Sequence, residues 1–252
     1  MKIVIIGGTG LIGTKLAALL DPLGHEVVAA APSTGVNTLT GEGLAAVLVG
    51  ADVVVDVSNS PSFADDDVMA FFTTSGKNLL AAEAAAGVGH HVALTIVGAD
   101  RLPDSGYLRA KVAQEELIEN GGVPYTIVRS TQFFEFARGI VDAATTGTEV
   151  HLPPAPLQPI AADDVASALA DVVVGEPVNG RIEIGGPDKI PMSEIGSRVL
   201  TVDADPRTVV TDPHARYFGT ELHDGALTAG PDAQLGRTTY TQWLAAAGSH
   251  RP

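Results

Sequence analysis

The chain has 252 residues, 45% of them hydrophobic, which suffices for one large α/β domain or for a core with a small second lobe. Thirty acidic residues against 15 basic ones give a net charge of −15, which argues against a nucleic-acid partner or an anionic membrane surface. The absence of cysteine excludes disulfides, thiolate metal sites and a cysteine nucleophile. The apolar run after Lys2 is too short for a signal peptide, and no window reaches the roughly 18 apolar residues of a membrane helix. We therefore expect a cytoplasmic protein.

A strand, a glycine-rich turn and a helix open the chain. Ile3 to Ile6 is a β-branched apolar run typical of a buried parallel strand, and Thr14 to Leu20 has the apolar spacing of a helix. Glycines between them provide a tight turn, close approach of a pyrophosphate and close helix–strand packing, and the helix N-terminus favours anions. We predict a dinucleotide site rather than a ligand-free turn, and its candidate residues are Gly7, Thr9, Gly10, Leu11, Ile12 and Gly13.

The second predicted strand, Glu26 to Ala31, ends without the residues that distinguish the two nicotinamide cofactors. An Asp or Glu at this position binds the ribose hydroxyls of NAD, whereas a nearby Arg accommodates the extra phosphate of NADP. Here Ser33 and Thr34 follow instead, and their hydroxyls suit either cofactor. Ser33 is a candidate cofactor contact, and the choice between NAD and NADP stays open.

The next strand, Asp52 to Ser58, ends in polar residues at the edge where ligands of open α/β sheets lie. Ser58 and Asn59 are therefore candidate cofactor contacts, the alternative being an ordinary polar loop. A long helix is predicted from Ser62 to Ala86. We interpret the three acidic residues in its first turns as stabilising the helix N-terminus rather than as ligands of a metal. His90 and His91 precede another strand, and no ligand spacing beside them indicates a metal site.

A helix beginning near Tyr107 carries the second informative pattern. Tyr107 and Lys111 are four residues apart and share a face of this helix. A cation near a phenol lowers the pKa of the phenol, and such a tyrosine can donate a proton to a carbonyl oxygen as hydride arrives. The alternative is a tyrosine at a helix start beside an exposed lysine.

A strand from Tyr125 to Arg129 precedes a cluster of aromatic residues. Candidate substrate contacts are Gln132, Phe133, Phe134 and Phe136, although an amphipathic helix packed on the core explains the same pattern. A proline-rich crossing follows over residues 151–160. We predict a dinucleotide-binding core over residues 1–150 and a smaller substrate lobe over residues 151–252, interleaved with the core in one compact unit.

These motifs in this order resemble the short-chain dehydrogenase/reductase superfamily, and within it the atypical NmrA-like NAD(P)-binding branch. The stretches that carry the resemblance are Gly7-Gly-Thr-Gly10-x-x-Gly13, Asp52-Val-Val-Val-Asp56, Thr95-Ile-Val-Gly98, Tyr107-x-x-x-Lys111 and Pro124-Tyr-Thr-Ile-Val-Arg129. The resemblance covers about residues 1–200. It implies an α/β fold with a doubly wound parallel Rossmann sheet and a small C-terminal substrate-binding lobe.

The resemblance also implies roles for individual residues. Lys111 binds the nicotinamide ribose and lowers the pKa of Tyr107, and Tyr107 protonates the substrate oxygen. Thr95 stands where the family has serine, and it orients the substrate. The implied cofactor is NAD(P)H, with no flavin and no metal, and the implied partner is a small aromatic molecule.

Three functional hypotheses follow. The first is an NAD(P)H-dependent reductase acting on a carbonyl or quinone of an apolar, aromatic substrate. In its variant, a reduced quinone reacts with O2 to give net hydroxylation, as in antibiotic biosynthesis through aromatic polyketides. The second is a binding protein that senses NAD(P) without turnover, as in some NmrA-like proteins. The third, a sugar epimerase or dehydratase, is disfavoured because those relatives have larger C-terminal lobes.

Overall fold

The first strand and helix lie where the sequence predicts them. The structure is a computed structural model that describes residues 1–249, so residues 250–252 of the predicted C-terminal lobe lie outside it. Strand β1 (Lys2–Ile6) is followed by the glycine turn and by helix α1 (Leu11–Leu20). The β-branched residues of β1 are buried from Ile3 onward, which is characteristic of a central strand covered on both faces.

The chain then forms further strands and helices. The strands are β2 (Glu26–Ala30), β3 (Val53–Asp56), β4 (His90–Ile96), β5 (Tyr125–Ser130), β6 (Thr145–Thr146), β7 (Glu149–Leu152), β8 (Pro156–Leu157), β9 (Gly180–Gly185), β10 (Ile190–Pro191), β11 (Thr208–Thr211), β12 (Arg216–Tyr217), β13 (Thr220–Glu221) and β14 (Gln234–Leu235). The helices are α2 (Leu44–Val47), α3 (Asp65–Ala86), α4 (Gly106–Glu119), α5 (Ala137–Ala143), α6 (Ala162–Val173), α7 (Met192–Asp203) and α8 (Tyr240–Ser249).

Seven of these strands form the main sheet, in the order β2-β1-β3-β4-β5-β9-β14. The strands β2 and β3 pair in parallel with opposite sides of β1, so Ala30 and Asp56 both lie beside Ile6. The strand order therefore reverses at β1, and the crevice beyond this reversal is where open α/β sheets bind ligands. The glycine turn begins at this point.

The chain divides into two units, each built from two stretches, whereas the predicted division was a single one at residue 150. The first unit comprises residues 1–129 and 165–182, and the second comprises residues 130–164 and 183–252. In the first unit, apolar residues of the strands pack with those of α3 and α4, as in the cluster of Leu80, Ala93, Ile118 and Ile127.

The second unit has its own small sheets and its own aromatic cluster. Strands β6, β7 and β11 form a three-stranded sheet, and β8 pairs with β10. Phe134 packs against Tyr240 and Trp243 of α8, with ring centroids 5.1 and 5.6 Å apart.

The long helix α3 differs from its predicted form at its start. The predicted helix from Ser62 begins at Asp65 and runs unbroken through Gly76 to Ala86. The Ser62 hydroxyl does not cap the helix but donates to Asp67, while Gly87 ends the helix at a φ of +72°. Between residues 1 and 249, no helix has the length and hydropathy needed to cross a membrane.

Candidate functional site

The glycine turn presents backbone N–H groups at the start of α1. Gly10 stands at the N-cap with extended backbone angles and no side-chain cap, and the first helical bond joins Thr14 N–H to its carbonyl. The N–H groups of Leu11, Ile12 and Gly13 therefore have no acceptor within the helix. Together with the positive end of the helix dipole, they suit a pyrophosphate. Because the Ile12 side chain is buried, only its backbone suits this role.

The backbone around the turn is packed too closely for side chains at two of its glycines. A Cβ on Gly13 would overlap the carbonyl oxygen of Gly7 and lie 2.6 Å from the Cα of Gly8. A Cβ on Gly7, which has a φ of +80°, would lie 2.9 Å from the backbone nitrogen of Ser58. The turn therefore requires glycine for its own packing, and it brings the ends of β1 and β3 together.

Replacing Gly13 with alanine should weaken cofactor binding strongly. The added methyl group meets backbone atoms of Gly7 and Gly8, so the turn must open and its N–H groups must move. We expect the dissociation constant for NADH or NADPH, measured by calorimetry, to rise about tenfold or more, as for the loss of a charge-assisted hydrogen bond. The matched control is Gly139→Ala, which adds the same methyl group to α5 with nothing within 4 Å. Equal affinities of the Gly13 variant and the wild type would contradict the assignment.

The end of β2 lies against the glycine turn. The N–H groups of Gly7 and Gly8 both donate to the carbonyl of Ala30, at 2.9 and 3.3 Å. Thr34 closes the following turn, since its hydroxyl accepts from Ala31 N–H and donates to the carbonyls of Ala29 and Ala31. Ser33 is exposed on the same turn. Ser33 thus remains the candidate cofactor contact, whereas Thr34 is occupied by the turn.

The end of β3 carries Ser58 and Asn59, and both side chains have partners. Ser58 donates its hydroxyl to the Asp56 carboxylate at 2.6 Å, and its backbone N–H donates to the same oxygen. Asn59 is exposed, and its side-chain oxygen accepts from the hydroxyl of Tyr107 at 3.0 Å. The structure thereby links this predicted cofactor edge to the predicted catalytic helix.

Tyr107 is half-buried among aromatic rings. Its ring centroid lies 5.3 Å from that of Phe63 and 6.2 Å from that of Phe72. Burial raises the pKa of Tyr107 to about 12, against the opposing effect of the Asn59 hydrogen bond. The sequence prediction that Lys111 lowers this pKa is wrong, because the ammonium of Lys111 is directed to other partners. Tyr107 therefore stays protonated at neutral pH and can act as a proton donor.

Lys111 is buried, with its ammonium beside Phe72. Its Nζ lies 4.3 Å from the centroid of the Phe72 ring and donates to the Leu94 carbonyl and to the side-chain oxygen of Gln114. Burial lowers the pKa of Lys111 to about 8, although the charges of Asp56 and Glu115 act in the opposite direction. Tyr107 and Lys111 thus both pack against the Phe72 ring, in agreement with the predicted shared face of α4.

Thr95 does not present its hydroxyl to a substrate. It is buried and donates to Glu115 at 2.7 Å. Glu115 has no exposed side-chain surface, and Arg129 binds both of its oxygens, at 2.9 and 2.6 Å. The predicted role of Thr95 in orienting substrate is therefore corrected: its partner is a buried ion pair, to which Arg181 also contributes at 3.2 Å.

His90 and His91 have protein partners. His90 shares a hydrogen bond with Thr126, and His91 shares one with the fully buried Glu83 at 2.8 Å. Burial alone lowers the pKa of His91, but the charge and hydrogen bond of Glu83 outweigh it, and the pKa is raised from its usual 6.5. Among residues 1–249, no group of three or more metal-ligating side chains was found.

The Glu83–His91 pair makes stability depend on pH. The pKa of His91 is higher in the folded protein than in the unfolded chain. The contribution of the pair to the free energy of unfolding is therefore fully present below about pH 6.5, and it is lost as the pH rises through the pKa of the folded state. We expect the difference in unfolding free energy between the wild type and Glu83→Gln to shrink steadily above pH 6.5. Urea denaturation from pH 6 to 9 measures this difference, and a difference that grows with pH would refute the charged pair.

In the second unit, the predicted aromatic contacts divide into two kinds. Phe134 is 1% exposed and packs on Tyr240 and Trp243, so its predicted place in a substrate wall is wrong. Phe133 and Phe136 stack on each other at 5.3 Å, with Phe136 exposed. The side-chain oxygen of Gln132 is buried without a hydrogen-bond partner. These three residues stay candidate substrate contacts.

Sequence reasoning missed Phe63 and Gln114. Phe63 is 54% exposed beside Tyr107, and only the tertiary packing of its loop reveals this. Gln114 is three residues after Lys111 and thus on the same side of α4, so its proximity was available from the spacing.

A comparison with known families identifies the chain. Residues 7–175 match the model of a family described as NAD(P)H-binding, a stretch that contains the glycine turn, Tyr107 and Lys111. The chain belongs to the NAD(P)H-binding family. The family assignment agrees with the helix N-terminus and the glycine turn described above.

Individual relatives share part of the sequence or the whole fold of this NAD(P)H-binding protein. The divinyl chlorophyllide a 8-vinyl-reductase of Cucumis sativus is 30% identical over 224 residues, covering 75% of this chain and 53% of the relative. The chain thus spans about half the length of that curated relative.

Solved structures match nearly all of the fold at low identity. MoeE5 in complex with UDP-glucose and NAD is 17% identical with a TM-score of 0.74, covering 99% of this chain and 98% of the other. A short-chain dehydrogenase/reductase superfamily protein from Agrobacterium tumefaciens with bound NAD is 16% identical with a TM-score of 0.74, covering 99% and 96%. The predicted α/β Rossmann fold is thereby confirmed.

Proposed function

We propose that this NAD(P)H-binding protein is an oxidoreductase that passes hydride to a carbonyl or quinone of an apolar, aromatic substrate. The observation that carries the proposal is Tyr107, a protonated phenol that packs against the rings of Phe63 and Phe72 on the helix that bears Lys111. The nicotinamide supplies the hydride when it is bound.

The residues have separate roles in this proposal. Tyr107 holds the proton that goes to the substrate oxygen, and its high pKa keeps that proton in place until negative charge develops on the oxygen. Lys111 binds the ribose of the cofactor. Phe63 is exposed beside the phenol and contacts the aromatic substrate, and in the second unit the stacked pair of Phe133 and Phe136 offers another apolar surface.

A panel experiment tests the proposal. NADH and NADPH oxidation is recorded with aromatic ketones and quinones while oxygen uptake is followed in parallel. Oxidation without oxygen uptake supports carbonyl or quinone reduction and shows which cofactor is preferred. Oxidation coupled to a hydroxylated product supports the variant in which a reduced quinone reacts with O2, once peroxide formation by redox cycling is excluded.

A second function, sensing of NAD(P) without turnover, is favoured by a specific observation. The hydroxyl groups of Thr95 and Tyr107 both have protein acceptors, Glu115 and Asn59, rather than a free side toward a substrate. A sensor binds NADH or NADPH tightly in calorimetry but oxidises neither with any member of the panel. That result would replace the oxidoreductase proposal.

A further inference from the structure

A buried chain of hydrogen bonds joins Lys111 to the end of β3. The ammonium of Lys111 donates to the side-chain oxygen of Gln114 at 2.6 Å, and the side-chain nitrogen of Gln114 donates to Asp56 at 2.9 Å. Asp56 in turn accepts from the backbone N–H and the hydroxyl of Ser58 at 3.0 and 2.6 Å. Lys111, Gln114 and Asp56 are each at most 3% exposed.

The two neighbours of Gln114 fix the orientation of its amide. An ammonium has only donors and a carboxylate only acceptors, so the oxygen must face Lys111 and the nitrogen must face Asp56. The amide therefore bridges a buried cation and a buried anion that do not themselves form a salt bridge. Replacing this bridge with an apolar side chain would leave both charges with one partner fewer.

The other end of the chain of hydrogen bonds lies beside the glycine turn. Asp56 pairs in register with Ile6, the residue before Gly7, and the backbone of Ser58 closes against Gly7. Gln114 thus connects the lysine of α4 to the edge of the sheet that begins the dinucleotide site. No sequence motif marked this residue.

We propose that Gln114 is a positioning residue that holds Lys111 in place for dinucleotide binding by linking its ammonium to the Asp56 carboxylate. This inference rests on the proposed function for the role of Lys111, but not on turnover. The charged groups that face the ammonium are Asp56 of β3 and Glu115 of α4, and His91 of β4 interacts with Asp56 in turn. Gln114 is the neutral group among them that touches both charges.

Two substitutions of Gln114 should shift the pKa of Lys111 in opposite directions. Gln114→Leu removes the acceptor, so the pKa of Lys111 should fall by about one unit, as expected for a hydrogen bond to a charged group. Gln114→Glu places a carboxylate in the same position, so the pKa should rise. A loss of structure alone would not give two shifts of opposite sign.

The shifts can be read directly in the ligand-free protein. The chain has five lysines, so ¹³C-labelled lysine gives few Cε signals to titrate by NMR, and Lys111→Met identifies the signal of Lys111. The control is Gln158→Leu, which removes another buried amide, one that bonds the Gly186 carbonyl and Ala229 N–H in the second unit. Circular dichroism shows whether each variant is folded, and the isosteric Gln114→Glu keeps the test open should Gln114→Leu not fold.

Cofactor affinity completes the test. The dissociation constant for NADH or NADPH should rise about fivefold in Gln114→Leu, increasingly so from pH 6 to 9, and should be unchanged in Gln158→Leu. Unchanged titration of Lys111 in both Gln114 variants would overturn the proposal, and so would opposite shifts without any change in affinity. Failure of the proposed function is a separate result: the panel gives no oxidation, while the Gln114 variants still change the lysine titration and the affinity.

Discussion

Removal of the Tyr107 hydroxyl should reduce ketone turnover by about two to four orders of magnitude, the range expected for a positioned general acid. Tyr107→Phe keeps the ring that packs against Phe63 and Phe72, but no proton remains to neutralise the developing alkoxide. The dissociation constant of the cofactor should not change. Steady-state rates at saturating NADH or NADPH measure the loss.

The size of the loss of turnover in Tyr107→Phe depends on the substrate. A hydroquinone anion is a stable product and needs no proton in the reduction step, so quinone turnover should fall far less than ketone turnover. Tyr125→Phe is the matched control, since Tyr125 packs beside the cluster of Leu80 and Ile118 at the start of β5. If ketone turnover of Tyr107→Phe stayed within threefold of the wild type, Tyr107 would not be the acid.

Predictions from the sequence succeeded where the interacting residues are close together in the sequence. The glycine turn was predictable because Gly7, Gly10 and Gly13 act within a single strand–turn–helix segment. The shared face of Tyr107 and Lys111 follows from the helical repeat alone. Neither conclusion needs knowledge of any residue distant in sequence.

Failed predictions depend on partners distant in sequence. The pKa of Tyr107 is raised by burial beside Phe63 and Phe72. Phe63 lies in the loop before α3, and Phe72 lies in α3. Phe134 is a core residue because α8, about a hundred residues later, supplies Tyr240 and Trp243. Periodicity in a sequence reports which face of an element is apolar, and it does not report what covers that face.

Thr95 illustrates the same limit for a polar residue. Its position before Tyr107 suited a substrate-orienting hydroxyl, but Glu115, twenty residues later, accepts the hydrogen bond of that hydroxyl. Glu115 in turn requires Arg129, because a fully buried carboxylate needs a paired positive charge. This ion pair gives the second large expected effect.

Arg129→Met should destabilise the protein by about 3–5 kcal/mol, the usual cost of removing one partner of a buried ion pair. Glu115 is fully buried and Arg129 is 7% exposed in its side chain. The remaining carboxylate would keep the hydrogen bond from Thr95, the more exposed Arg181 and the charge of Lys111, but no bidentate partner. A loss of this size is a large share of the roughly 5–15 kcal/mol that holds a typical domain folded.

A double variant separates the buried charge from the loss of packing. Glu115→Met combined with Arg129→Met removes both charges, so stability should recover most of the way to the wild type. The exposed pair of Arg109 and Asp65, with side chains 43% and 63% exposed, is the matched control, and Arg109→Met should cost at most about 1 kcal/mol. Urea denaturation of the four proteins gives these differences. Equal losses for the Arg129 and Arg109 variants would mean that the Glu115 charge is solvated in solution, and the buried network would then not stabilise α4 beneath Tyr107 and Lys111.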